Sequence, residues 1–247
     1  MNTPPTKKRH WLQFNLLLML AVVALCAVVF AWLRYPIAQT RHEVELAIKI
    51  EELGGRVTWG GSTEGRGKHG RSYIGAIDLS ATNVSDQDLV EIGKLPELTH
   101  LHLNDTNITD SGVKHLSAVP RLKQLELSGT KITDDGVRHI SDLTSLEVVK
   151  LQRCTITDDA LETIGRLELL WMLHLDSTPI TDNALKHLVK LRKLRTLGLS
   201  KTQLTDGGLE QLRKCGQLEM LFVDGTSVTD SGIKQFNNAL PHDPAMR

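Results

Sequence analysis

Apolar residues recur every 24 positions from Ile74 onward, and no other feature constrains the fold of this chain as tightly. Leu98, Leu122, Leu146, Leu170, Leu194 and Leu218 mark the period, with Ile74 one step earlier. One repeat reads Leu122-x-x-Leu125-x-Leu127-x-x-Thr130-x-Ile132-Thr133-Asp134-x-Gly136-Val137-x-x-Ile140-x-x-Leu143. Seven apolar columns run through seven repeats, residues 74–241, with no polar substitution. Such a period belongs to stacked supersecondary units, each unable to bury its own apolar face.

Local chemistry shapes each repeat. Leu125-x-Leu127 alternates with period two, which is a short strand with one face inward. Thr133-Asp134 follows, and Asp holds the second place in every repeat, from Asp86 to Asp230. That Asp is expected to cap its own helix, accepting orphan backbone N–H groups at the favourable end of the dipole. Val137, Ile140 and Leu143 then recur every third residue, as one face of a short helix does. Stacking buries these side chains between neighbours at about 1.5–3 kcal/mol per large aliphatic. The fold class is therefore α/β: a solenoid of seven strand–turn–helix repeats, its parallel sheet concave and its helices on the far side.

On these residues the chain resembles leucine-rich repeat proteins, and among them the cysteine-containing type, whose turn carries a cysteine ahead of Ile-Thr-Asp. Only Cys154 keeps that cysteine; Thr82, Thr106, Thr130, Thr178, Thr202 and Thr226 fill the column elsewhere. Either side chain is small enough for the turn, and Thr can hydrogen-bond the turning backbone. The resemblance covers about two-thirds of the chain. It implies a recognition scaffold and is nearly silent on activity. Similar repeats in F-box proteins would imply a substrate-recognition adaptor of ubiquitin-ligase type, but no F-box-like segment precedes the repeats. The layout is more similar to membrane-anchored or exported repeat proteins of bacteria.

Upstream, Trp11 to Leu33 contains only Gln13 and Asn15 as polar side chains. As a helix this run spans about 35 Å, enough for a hydrocarbon core of about 30 Å. Lys7, Lys8 and Arg9 precede it, which predicts a cytoplasmic N-terminus and an extracytoplasmic repeat domain. A cleaved signal peptide is the alternative, though its apolar core is shorter and needs a small-x-small site. The expected organisation is a basic tail (1–10), a transmembrane helix (11–33), a juxtamembrane cap (34–73), the repeats (74–241) and a tail (242–247). In the cap, residues 41–53 read as an amphipathic helix stopped by Gly54-Gly55, with a strand around Val57 and Trp59. Gly60 to Ser72 is a glycine-rich loop; Ser62 and His69 break the phosphate-loop spacing around Gly67-Lys68.

Charge narrows the function. The 29 basic and 29 acidic residues cancel, and aromatics make up 4% of the chain, so neither a basic nor a stacking nucleic-acid surface is expected. Three cysteines, one inside the apolar run, exclude a disulfide scaffold. Strand positions between buried leucines face the concave side. One column there reads Asp78, His102, Glu126, Lys150, His174, Gly198 and Phe222, and its neighbour Ala76, His100, Gln124, Val148, Met172, Thr196 and Met220. The expected partner is a protein or a cell-envelope ligand. Phe222, Met172, Met220 and Val148 supply apolar area, and His174, Glu126, Lys150 and His102 supply charge. Trp171 is placed at the rim near Arg195. Gly198 is expected to leave a dip beside His174 and Phe222. No cofactor and no catalysis are expected. The alternatives are a metal held by His100 and His102 with Asp78 and Glu126, or a hydrolase-like set of His174, Asp176 and Ser200.

Overall fold

The computed structural model describes residues 41–60, 73–239 and 245–246. The expected membrane helix at 11–33, the basic tail before it and most of the glycine-rich loop lie outside these residues. Among the described residues, no helix is long and apolar enough to cross a membrane. The chain divides into two compact units, Met1–Glu45 and Leu46–Arg247. In the first, residues 41–45 are helical and Arg41 Nε meets Glu45 Oε1 at 2.9 Å, one turn on.

In the second unit, residues 46–52 are helical, and the chain leaves that helix through Gly54 at φ +85°, a left-handed conformation suited to glycine. One sheet follows, its strands adjacent in chain order: β1 (Arg56–Gly60), β2 (Tyr73–Asp78), β3 (His100–His102), β4 (Gln124–Glu126), β5 (Val148–Lys150), β6 (Met172–His174), β7 (Thr196–Gly198), β8 (Met220–Phe222) and β9 (Ala245–Met246). β1 runs antiparallel to β2, and the others are parallel. From β2 to β8 each residue pairs with the one 24 positions later, as Leu101 does with Leu125 and Leu125 with Val149. The sequence period and the sheet register are therefore the same number. A two-residue β9 in the C-terminal tail, pairing Leu221 with Met246, was not anticipated.

All seven apolar columns are buried from Ile74 to Cys215. Beyond Cys215, Val228 and Ile233 of the same columns are half-buried. At the other end Leu46, Ala47 and Ile50 enter the same core, and Lys49 Nζ reaches Asp88 Oδ1 at 2.5 Å, so this helical segment covers apolar side chains of the first strands and helix. Solenoids need such a cover because an end repeat otherwise leaves its leucines in water.

The aspartate column does something other than cap its own helix. The preceding threonine is the N-cap: Thr133, Thr157, Thr181 and Thr205 are extended, and each hydroxyl accepts from the backbone N–H two residues on. The aspartate instead reaches the next repeat. Asp110 accepts the N–H of Thr133 on Oδ1 and its hydroxyl on Oδ2, and the same pair forms from Asp86 to Thr109 through to Asp206 with Thr229. Distances stay within 2.8–2.9 Å for the N–H and 2.5–2.7 Å for the hydroxyl. The carboxylate also dictates its surroundings. A Cβ on Gly136 would stand 2.2 Å from Asp110 Oδ1, and that column holds only Gly or Ala after the first repeat. The first repeat has no aspartate before it and carries Asp88 there.

The threonine column closes the turn, each hydroxyl donating to the carbonyl three residues back at 2.6–2.7 Å. Cys154 takes that place as expected and donates its thiol to Leu127 O at 3.1 Å. Just before this column the backbone is left-handed in every repeat: Ala81, Asp105, Gly129, Arg153, Ser177, Lys201 and Gly225 all have φ between 55° and 70°. Five of these are not glycine, so the turn is imposed by the stacking on residues that resist it. Helix type varies too. Asp182–Lys190 is a 3-10 helix, as is Lys114–Ala118 after a single turn of α-helix. Each of these follows a repeat with glycine at the facing position, where a Cβ on Gly93 or Gly165 would crowd the carbonyl of His115 or His187.

Candidate binding surface

The outward column assembles as the alternation requires, with Asp78, His102, Glu126, Lys150, His174, Gly198 and Phe222 in direct register across β2 to β8. Its two halves differ in kind. In the first, Glu126 is the centre. Its Oε1 lies 2.7 Å from both Lys150 Nζ and Gln124 Nε2, and its Oε2 accepts from Asn104 Nδ2 at 2.6 Å. His102 Nε2 stands 4.0 Å from the same carboxylate. Glu126 is only 7% exposed, and burial alone would raise its pKa; the donors and His102 outweigh that and hold it below the ordinary carboxylate value. At the sheet's start, Arg56 Nη2 pairs with Asp78 Oδ2 at 3.1 Å. This half is a self-satisfied polar network.

In the second half, Met220 is 38% exposed, and Met172, His174 and Phe222 are half-buried. The rings of His174 and Phe222 stack with centroids 5.7 Å apart at 34°. Two expectations need correction. Val148 is 7% exposed and offers almost no apolar area. Gly198 leaves no dip: it is buried, and a Cβ there would meet His174 Nδ1 at 2.4 Å and Asp176 Oδ2 at 2.5 Å. The missing side chain is filled from within, as His174 lies over the glycine with Nδ1 3.2 Å from Asp176. That surface is a closed apolar patch around Phe222.

Neither chemical alternative gains from the geometry. Glu126 already spends its oxygens on Lys150, Gln124 and Asn104, and among the described residues no three His, Cys, Asp or Glu side chains group as metal ligands do. Ser200 meets Asp176 through its backbone N–H at 2.9 Å, so that carboxylate holds a turn as well as His174. Burial raises the thiol of Cys154 and pushes that of Cys215 up to about 11, which keeps both protonated.

The rim ahead of the strands carries a second pattern. Cross-repeat ion pairs link Glu97 with Arg121, Lys123 with Glu147 at 2.7 Å, and Arg195 with Glu219 at 2.9 Å. Trp171 and Leu169 interrupt it, 36% and 38% exposed. Trp171 thus sits beside Arg195 as expected. Leu169, Arg192 and Lys193, which share its groove, were missed; the break in the 24-residue charge pairing was the available signal.

A leucine-rich repeat profile matches residues 94–117, 121–141 and 142–165, so this part of the chain consists of leucine-rich repeats. No curated protein sequence matches the chain. The structure is similar to that of internalin C2 from Listeria monocytogenes, with 20% identity, a TM-score of 0.51, and coverage of 78% of this chain and 89% of that one. Internalin F from the same organism gives 22% identity and a TM-score of 0.51, over 69% of this chain and 52% of its own. These likenesses establish the fold: an α/β leucine-rich repeat solenoid with a parallel sheet.

Proposed function

We propose that this protein binds another protein through the outward face of its sheet, with Phe222, Met172 and Met220 as the apolar anchor and Lys150 and Glu126 setting orientation. The observation that carries this reading is the division of one face into a polar half that satisfies itself and an apolar half that water still reaches. Apolar anchors beside fixed charge are the arrangement in which a few residues dominate binding. A shallow, open face suits a macromolecular partner better than a small substrate, which needs an enclosing pocket. In this reading the scaffold is seven repeats long and is held to a membrane by residues 11–33, with the N-terminus cytoplasmic and the repeats outside. The length of that apolar run and the basic residues before it support the placement.

Cross-linking in native membranes, followed by capture of the full chain, tests the reading. Phe222→Ala should weaken the captured complex at least tenfold, and Lys150→Ala should act less strongly at physiological salt. A complex indifferent to Phe222→Ala but lost with Lys186→Ala, on the helical side, would refute it. Carbonate washing should leave the full-length chain in the membrane; a shorter soluble form beginning near Ala27–Tyr35 would refute the anchor alone.

A further inference from the structure

We infer that the groove around Trp171 is a second docking site, fitted to an acidic polypeptide segment carrying an apolar side chain. The inference rests on the protein-binding reading but uses a different surface, the rim ahead of the strands.

The rim's own pattern points there. Three pairs of charges one repeat apart neutralise one another along it: Glu97 with Arg121, Lys123 with Glu147, Arg195 with Glu219. At the repeat between the last two pairs, the equivalent positions are Leu169 and Trp171. They line an open groove of about 450 Å³ together with Glu147, Arg192, Lys193 and Arg195. Glu147 and Arg195 are committed to Lys123 and Glu219. Arg192 and Lys193 are exposed, and among the described residues neither has a carboxylate partner. The groove's lining therefore offers an indole, a leucine and two unneutralised cations. A Trp face accepts an aliphatic or aromatic side chain, and adjacent cations attract carboxylates with little desolvation at an exposed rim. A partner of the opposite pattern, one apolar residue flanked by Asp or Glu, matches both features at once. A basic segment would meet repulsion, and an uncharged one would leave Arg192 and Lys193 unanswered.

Selection of phage-displayed random dodecapeptides on the immobilised full chain tests this. Enriched sequences should place at least two acidic residues within three positions of an apolar one. A synthetic peptide of the leading sequence, followed by fluorescence anisotropy, should lose at least tenfold in affinity to Trp171→Ala. It should lose as much to the double change Arg192→Glu with Lys193→Glu, which touches only exposed side chains and whose thermal melt should match that of the unchanged protein. Phe222→Ala should alter it less than twofold. Enrichment of sequences without acidic residues, no enrichment, or a peptide indifferent to both rim variants overturns the inference. Dependence on Phe222 alone also overturns it while leaving the sheet-face reading standing. Vesicles of phosphatidylcholine with 30% phosphatidylserine serve as the competing anion source; binding to them that is lost in the rim variants, without peptide binding, assigns the groove to lipid and refutes the peptide.

Discussion

Removing the Asp158 side chain should uncouple two repeats more than it weakens one helix. Asp158 accepts the N–H of Thr181 at 2.8 Å and its hydroxyl at 2.5 Å, both from the following repeat. Hydrogen bonds to a charged acceptor contribute about 1.5–3 kcal/mol each when shielded. Asp158 is half-exposed, so water can replace part of each bond, and the pair together should contribute about 1.5–3 kcal/mol. Its position in the first helical turn adds about 0.3–1 kcal/mol through the dipole. Asp230 isolates that smaller part. It opens the last helix in the same way, yet no threonine of a further repeat donates to it among the described residues. Urea unfolding followed by far-UV circular dichroism should therefore show Asp158→Ala costing about 2–4 kcal/mol and Asp230→Ala under about 1 kcal/mol. A double-mutant cycle with Thr181→Val sharpens the test. The cap that Thr181 supplies to its own helix is lost in both arms and cancels, leaving a coupling of about 1 kcal/mol between Asp158 and the Thr181 hydroxyl. Equal costs at Asp158 and Asp230 with zero coupling would refute the cross-repeat role and restore the aspartates as caps of their own helices.

Lys201 is left-handed at φ 57°, where Gly225 sits in the next repeat, so Lys201→Gly should raise stability by about 0.5–1 kcal/mol in the same assay. Gly198→Ala should cost about 1–3 kcal/mol and shift the His174 ring resonances, because the new methyl group takes the space of that imidazole; an unperturbed His174 would contradict the filled surface. Stability should also fall on acidification in two steps. Burial first, then His102 and Lys123, lower His100 from 6.5, so its unfolded form binds the proton more readily and stability erodes as pH drops below 6.5. Glu126, held below 4.5 against its own burial by Lys150, Asn104, Gln124 and His102, contributes fully above 4.5 and loses that contribution as pH falls through its lower folded value. Urea midpoints from pH 4 to 8 should lose the upper step in His100→Gln, while Glu126→Gln should leave it in place.

What the amino-acid sequence determined by itself was everything that repeats with the backbone. Burying one side chain of each class per turn of the solenoid requires strict spacing, so the 24-residue period carried the strands, their register, the core columns and the outward column from Asp78 to Phe222. The helix that ends at residue 52 and its glycine stop were legible for the same reason, since both are local. Tertiary structure decided where a side chain's partner lies in another repeat. Asp134 could serve its own helix or Thr157, and proximity in sequence favours the first; stacking places Thr157 within reach of both oxygens and hands the capping to Thr133. An absent side chain at Gly198 read as empty space, yet packing fills space, and His174 from the adjacent strand closed it. The left-handed turn at Lys201 and Arg153 left no mark on residue choice, because the strain there is imposed by the stack and offset by the leucines buried on either side. Periodic burial is a property of one chain position after another. Polar pairing and void filling are properties of pairs brought together only when the repeats close on one another.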